Sequence, residues 1–260
     1  MSTIHSPDYD LLNRFPETDN EPVESTWHRD QMNLLVDLTR FHNRDREDYY
    51  VAGNLFVYWD PNDPRKSSGP DYMFVRNVPR WPERHIWAVW REEDRFPDMI
   101  VELMSPTTKN KDRKTNKTKY EQVFRTPEYF FYDPETGEFQ GWRLAEDRYH
   151  AIIPDARGWF WSEQLRLWLG TWYGTVDGRE ETVWLRFYDA DGLLVPMPSE
   201  AERERANAES ERAEAEAERA QAEAERAQAE HDRAERERLR AEAAEAEIAQ
   251  LRARLERGKE

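Results

Sequence analysis

The sequence predicts an α/β domain with a mixed central sheet flanked by helices, followed by a long charged helix. Three observations predict it: an amphipathic helix ahead of several short β-branched and aromatic runs, a polar helix between two of those runs, and an abrupt change of composition near residue 199. All 11 Trp, 11 Tyr and 11 Phe lie before that point, so residues 23–198 hold enough large apolar side chains to close one core. Residues 1–22 are polar and proline-containing and read as a loose N-terminal segment.

The helix comes first. In DQMNLLVDLTRFHNR, Met32, Leu35, Leu38 and Phe41 fall on one stripe with Leu34 beside it, the spacing of a helix packed on a core. YYVAGNLFVYW, residues 49–59, has strand composition and is ended by the turn-forming DPNDPRKSSGP. DYMFVRNV (71–78), IWAVWRE (86–92) and DMIVELM (98–104) have strand length and are separated by proline or charge. KTNKTKYEQVF, residues 114–124, lacks glycine and proline and reads as a crossover helix, after which EYFFYD (128–133) reads as a buried strand. GEFQGWRL, RYHAIIP, RLWLGTWYG and TVWLRFYD read as further short antiparallel strands.

From Ser199 to Arg257 there is neither proline nor glycine, and AEAERAQ occurs twice between Ala215 and Gln228, so residues 199–260 read as a charged Ala/Glu/Arg helix. Ala213, Ala217, Ala220, Ala224 and Ala227 alternate four and three apart, as in a coiled-coil seam, and Ile248, Leu251 and Leu255 resume it after a phase shift. Small seam residues bury little area, so the alternatives are a coiled coil holding a second copy or helical partner, and a solvated single helix held by Glu and Arg pairs.

The formal charge is −16. Residues from Ser199 on carry 19 acidic and 13 basic side chains, or −6, leaving −10 for the rest. A field of that sign opposes loose binding to a polyanion, so nucleic-acid contact requires a local basic cluster, which Lys109, Lys111, Arg113, Lys114, Lys117 and Lys119 provide. The absence of cysteine excludes disulfides, thiolate zinc and a cysteine nucleophile, and suits a cytoplasmic, reducing setting. No run has the length and apolarity of a membrane span, and the N-terminus lacks a signal-peptide pattern.

Two prolines each precede an aspartate at a strand entry, Pro70-Asp71 and Pro97-Asp98. Alternation puts Asp98, Ile100 and Glu102 on one strand face, and Glu102 lies inside the apolar run IVELM. A buried carboxylate is costly unless it is paired, hydrogen-bonded or bound to a cation. Mg²⁺ or Mn²⁺ held by Asp71, Glu102 and Asp98 explains the pattern, with a nearby lysine to support an attacking water. Pairing of Glu102 with a structural Lys or Arg is the alternative.

The stretch PDMIVELMSPTTKNKDRKTNKTKYEQVFRTPEYFFYDP resembles the hallmark segment of the Uma-type restriction-endonuclease family, a branch of the PD-(D/E)xK nucleases, and HRDQMNLLVDL, VAGNLFVYW and GPDYMFV extend the likeness over residues 24–144. The resemblance implies a restriction-endonuclease-like core, DNA as partner, and metal binding by Asp71 and Glu102 with Asp98 in support. The superfamily lysine is missing, because Met104 stands two residues after Glu102. In the family it comes from the helix, four residues before the tyrosine; that place holds Asn116, with Lys117 next to it. Lys117 is the first candidate, and Lys119 or Lys114 the next. Glu24 is a further candidate metal carboxylate, and His28 reads as a helix-entry histidine. The function implied is metal-dependent DNA endonuclease, the alternative a weak or inactive nuclease-fold scaffold assembling partners through its terminal helix.

Overall fold

The computed structural model describes residues 14–16, 25–104, 115–179 and 181–257, with side chains to residue 252. The chain divides into two compact units, with the boundary after Ser199. The first is built on a six-stranded sheet in the order β1-β4-β6-β7-β8-β9. Its strands are β1 (Tyr49–Ala52), β4 (Tyr72–Arg76), β6 (Met99–Leu103), β7 (Glu128–Tyr132), β8 (Phe139–Ala145) and β9 (Arg148–Ala151). β6 and β7 run parallel and every other neighbouring pair is antiparallel, so the sheet is mixed as the element order predicts. The crossover from β6 to β7 contains the helix expected between them, described as α-helix over 115–119 and as a π-turn over Tyr120–Phe124.

Each central strand is buried on both faces. Tyr72, Phe74, Met99, Val101, Phe130 and Tyr132 face α1 (Thr26–His42) and a separate sheet of β10 (Phe160–Ser162), β11 (Leu167–Gly174) and β12 (Thr182–Tyr188). Met73, Val75, Ile100, Tyr129 and Phe131 face Tyr120, Phe124 and a small sheet of β2 (Val57–Tyr58), β3 (Ser67–Ser68) and β5 (Trp87–Ala88). Covering both faces explains why these strands read as continuous apolar runs. α1 buries Met32, Leu35 and Leu38 as the stripe predicts, while Phe41 is half-buried. Gln31 ties the helix to β12, donating to the Leu185 carbonyl at 3.0 Å and accepting from its amide at 2.7 Å.

Two strand expectations are corrected. Residues 49–59 form two strands in different sheets, because the chain turns at Gly53 and Asn54, the latter at φ 50°. A Cβ on Gly53 would stand 2.6 Å from Met32 Cγ, so only glycine lets α1 approach so closely there. Residues 86–92 hold only the two-residue β5, which gives way to a 3₁₀ turn at Val89–Arg91. β10, not anticipated from the sequence, pairs with β11 through Phe160, Trp161 and Ser162.

The second unit is α2, one continuous helix over Pro198–Arg257. Its 60 residues span about 90 Å at about 1.5 Å per residue. Leu239, Ile248 and Leu251 are about half exposed, and Leu255 lies beyond the described side chains. Local pairs such as Gln228 with Asp232 at 2.8 Å and Arg238 with Glu242 at 3.5 Å decorate it. Among the described residues no helix is long and apolar enough to cross a membrane.

Candidate active site

The end of the β4 and β6 ladder sets Asp71 and Glu102 on neighbouring strands. Tyr72 pairs with Val101 in the antiparallel register, so Asp71, one residue before, stands opposite Glu102, one residue after. Asp71 is fixed by two bonds: its Oδ2 accepts the Leu103 amide at 2.7 Å, and its Oδ1 lies 2.8 Å from Nε2 of His28. The histidine arrives in the first turn of α1, whose N-cap Ser25 accepts the His28 amide.

Glu102 is buried, and its Oε1 accepts the Tyr120 phenol at 2.5 Å and the Asn116 amide Nδ2 at 3.5 Å. Tyr120 is completely buried in the π-turn, and burial together with the nearby Glu102 pushes its phenol well above the ordinary tyrosine range. The phenol therefore acts as a proton donor to Glu102 throughout the neutral range. Ser68 Oγ lies 3.2 Å from the Tyr120 hydroxyl, and the Lys119 ammonium donates to Ser68 Oγ at 2.9 Å and to Asn116 Oδ1 at 3.2 Å.

Two expected site residues lie apart from Asp71 and Glu102. Asp98 shares a strand face with Glu102 but lies four residues away, about 13 Å along the strand at about 3.3 Å per residue. It accepts the Arg76 amide at 2.7 Å and pairs with Arg95 at 3.3 Å, which holds the far end of β6 against β4 instead of serving Asp71 and Glu102. Accordingly, no three His, Cys, Asp or Glu side chains gather as a metal-holding group among the described residues. Lys117 also departs from expectation: its ammonium sits 4.1 Å from the centroid of Trp142, on β8, two strands from β6. Partial burial there lowers its pKa, with Glu121 opposing.

Glu24, Lys109, Lys111, Arg113, Lys114 and the SPTT turn at 105–108 lie outside the described residues. His28, Ser68 and Tyr120 are site members that sequence reasoning did not assign. Tyr120 had a signal, since aromatic residues four apart in a polar helix, here Tyr120 and Phe124, mark its buried side. The pairing of His28 with Asp71 spans 43 residues and had none.

A solved structure described as a putative nuclease belonging to DUF820, from Anabaena variabilis ATCC 29413, is similar over 56% of this chain and 85% of its own, at 17% identity and a TM-score of 0.39. Among curated proteins none matches. The model of the Uma2 family, described as putative restriction endonuclease, matches residues 15–175, which span α1, the six-stranded sheet, Asp71, Glu102 and the helix carrying Tyr120. The chain therefore belongs to the Uma2 family.

Proposed function

We propose that the protein is a metal-dependent DNA endonuclease whose Asp71 and Glu102 hold Mg²⁺ or Mn²⁺. The observation that carries this reading is the register that sets positions 71 and 102 opposite each other at one strand end, within the residues that the family model matches. The donor set suits a hard divalent cation, which takes oxygen from one or two carboxylates and keeps several waters for substrate phosphate. Asp71 retains acceptor capacity, because the Leu103 amide and His28 engage one lone pair on each oxygen and a carboxylate offers about four lone-pair sites. The ion, when bound, supplies Lewis acidity toward a phosphodiester and toward the water that attacks it.

The chain's own residues hold this pair in place. The Leu103 amide and His28 fix the plane of the Asp71 carboxylate, and the Tyr120 phenol fixes one oxygen of Glu102. Held rigidly, the two acids present negative charge to a cation without reorganising when it arrives. A cysteine-free chain suits the reducing cytoplasm, where such a nuclease meets DNA. α2, with its exposed apolar side chains near residues 239–251, supports a second role in joining another copy or a helical partner.

The test combines titration calorimetry of Mn²⁺ with nicking of supercoiled plasmid DNA. The wild type should bind Mn²⁺ and nick DNA only when metal is present, and Asp71→Asn and Glu102→Gln should lose both properties while keeping the far-UV circular dichroism of the parent. Cleavage undiminished in EDTA, or a wild type that takes up no Mn²⁺, would overturn the assignment.

A further inference from the structure

We infer that Lys119 supplies the positive charge of the Asp71 and Glu102 site, with Asn116, Ser68 and Tyr120 coupling its ammonium to Glu102. This rests on the nuclease reading and adds to it which of the clustered lysines serves the carboxylates and by what connection.

Two hydrogen-bonded routes lead from Lys119 to a single oxygen of Glu102. In one, the ammonium donates to Asn116 Oδ1 at 3.2 Å and the Asn116 amide group faces Glu102 Oε1 at 3.5 Å. In the other, it donates to Ser68 Oγ at 2.9 Å, Ser68 lies 3.2 Å from the Tyr120 hydroxyl, and that hydroxyl donates to the same Oε1 at 2.5 Å. The direction of each bond is forced. An ammonium has only donors and an ionised carboxylate only acceptors. Ser68, having accepted from Lys119, points its own proton at Tyr120, which spends its proton on Glu102. Asn116 must likewise turn its oxygen to the lysine and its nitrogen to the glutamate. Every dipole along both routes is therefore aligned from the cation toward the carboxylate, the arrangement in which buried hydrogen bonds reinforce one another.

Among the described residues the neighbouring lysine has no such connection. Lys117 lies over the Trp142 ring, and Trp142 projects from β8, with β7 standing between it and β6. Ser68 belongs to β3, a two-residue strand paired to β2, and the turn-rich stretch before it gives no hint of a role in a distant site. Its position under both Lys119 and Tyr120 gives this short strand a purpose beyond the small sheet.

The experiment uses the full chain in four forms: wild type, Lys119→Ala, Lys117→Ala, and Lys119→Ala combined with Asn116→Lys. Plasmid nicking is followed at saturating Mn²⁺ and DNA, and Mn²⁺ affinity by calorimetry. Lys119→Ala should lower kcat about 100-fold, as removal of one charge-stabilising group does, with little change in KM. It should tighten Mn²⁺ binding about fivefold, because a nearby like charge has gone. Lys117→Ala should match the wild type in both. The double variant, which returns an ammonium to the position nearest Glu102, should recover at least tenfold of the lost rate and the original Mn²⁺ affinity. Equal losses for the two alanine variants, or no recovery in the double variant, would overturn the inference. If the wild type binds Mn²⁺ but cleaves no DNA offered, the affinities decide it, and unchanged affinity in Lys119→Ala refutes it. A wild type that binds no Mn²⁺ removes the nuclease reading itself, and this inference with it.

Discussion

Removing a single hydroxyl, in Tyr120→Phe, tests the bond on which the geometry of Glu102 depends. Tyr120 is completely buried and donates to a buried carboxylate at 2.5 Å, so the change leaves that acceptor short of a partner. A hydrogen bond to a charged group contributes about 1.5–3 kcal/mol, and a cost of about 2 kcal/mol follows. For a domain of this size each kcal/mol moves the midpoint about 2–4 °C, so the melting temperature of the first unit should fall by about 4–8 °C in EDTA. Charge-assisted bonds are about twice as strong as neutral ones, so in a Glu102→Gln background the same substitution should cost only about 1 kcal/mol. The assay is urea unfolding followed by tryptophan fluorescence, run as a double-mutant cycle, with an expected coupling of about 1 kcal/mol. A coupling within about 0.3 kcal/mol of zero, the usual scatter for independent sites, would mean that the phenol does not bond the carboxylate charge.

Burial pushes the phenols of Tyr72, Tyr120 and Tyr149 above the ordinary tyrosine value. Above about pH 10 the unfolded chain releases these protons while the folded chain keeps them, so stability present below that pH should be lost as pH rises further; absorbance at 295 nm should show these phenols ionising only with unfolding. Gly170→Ala should destabilise by about 1–3 kcal/mol, since a Cβ there would meet Trp159 Cδ1 at 2.3 Å while that ring is stacked on Tyr188 at 3.7 Å. The near-UV circular dichroism of the tryptophans should report the change, and an unaltered spectrum and melting temperature would count against the stacked arrangement. Truncation after Ser199 should leave the melting temperature of the remaining unit within about 2 °C and its Mn²⁺ affinity unchanged, because the boundary between compact units falls there. Sedimentation of the two forms would then reveal whether α2 holds copies together, and loss of folding on truncation would refute the independence of the first unit.

α1, β4, β6 and β7 were legible in the sequence because each is long enough for its pattern to outlast local noise. Their hydrophobic runs also match what two covered faces demand. The break at Gly53 was hidden inside a run of good strand formers, since what forces it is the approach of Met32 from another element. In the site, proline-aspartate entries and a carboxylate in an apolar strand pointed to Asp71 and Glu102. Alternation also made Asp98 look like a companion, because it reports which face a residue takes and not how far along the strand it lies. Lys117 and Lys119 both lie in the α-helical stretch 115–119, about 200° apart around its axis, and a run of charges does not tell which side meets the sheet end.

Asp71 does two jobs at once, and that limits how the site can change over evolutionary time. Its Oδ2 closes the last rung between β4 and β6 by accepting the Leu103 amide, so the side chain is part of the sheet as well as of the acidic pair. Replacement by alanine would open that rung and expose a strand end to fraying, and selection for a folded chain would oppose it even in a copy without activity. Asparagine keeps an oxygen for the amide and discards the charge. Descent toward a silent relative should therefore pass through asparagine at position 71, whereas the exit at position 102 is open to glutamine, which still offers an oxygen to Tyr120.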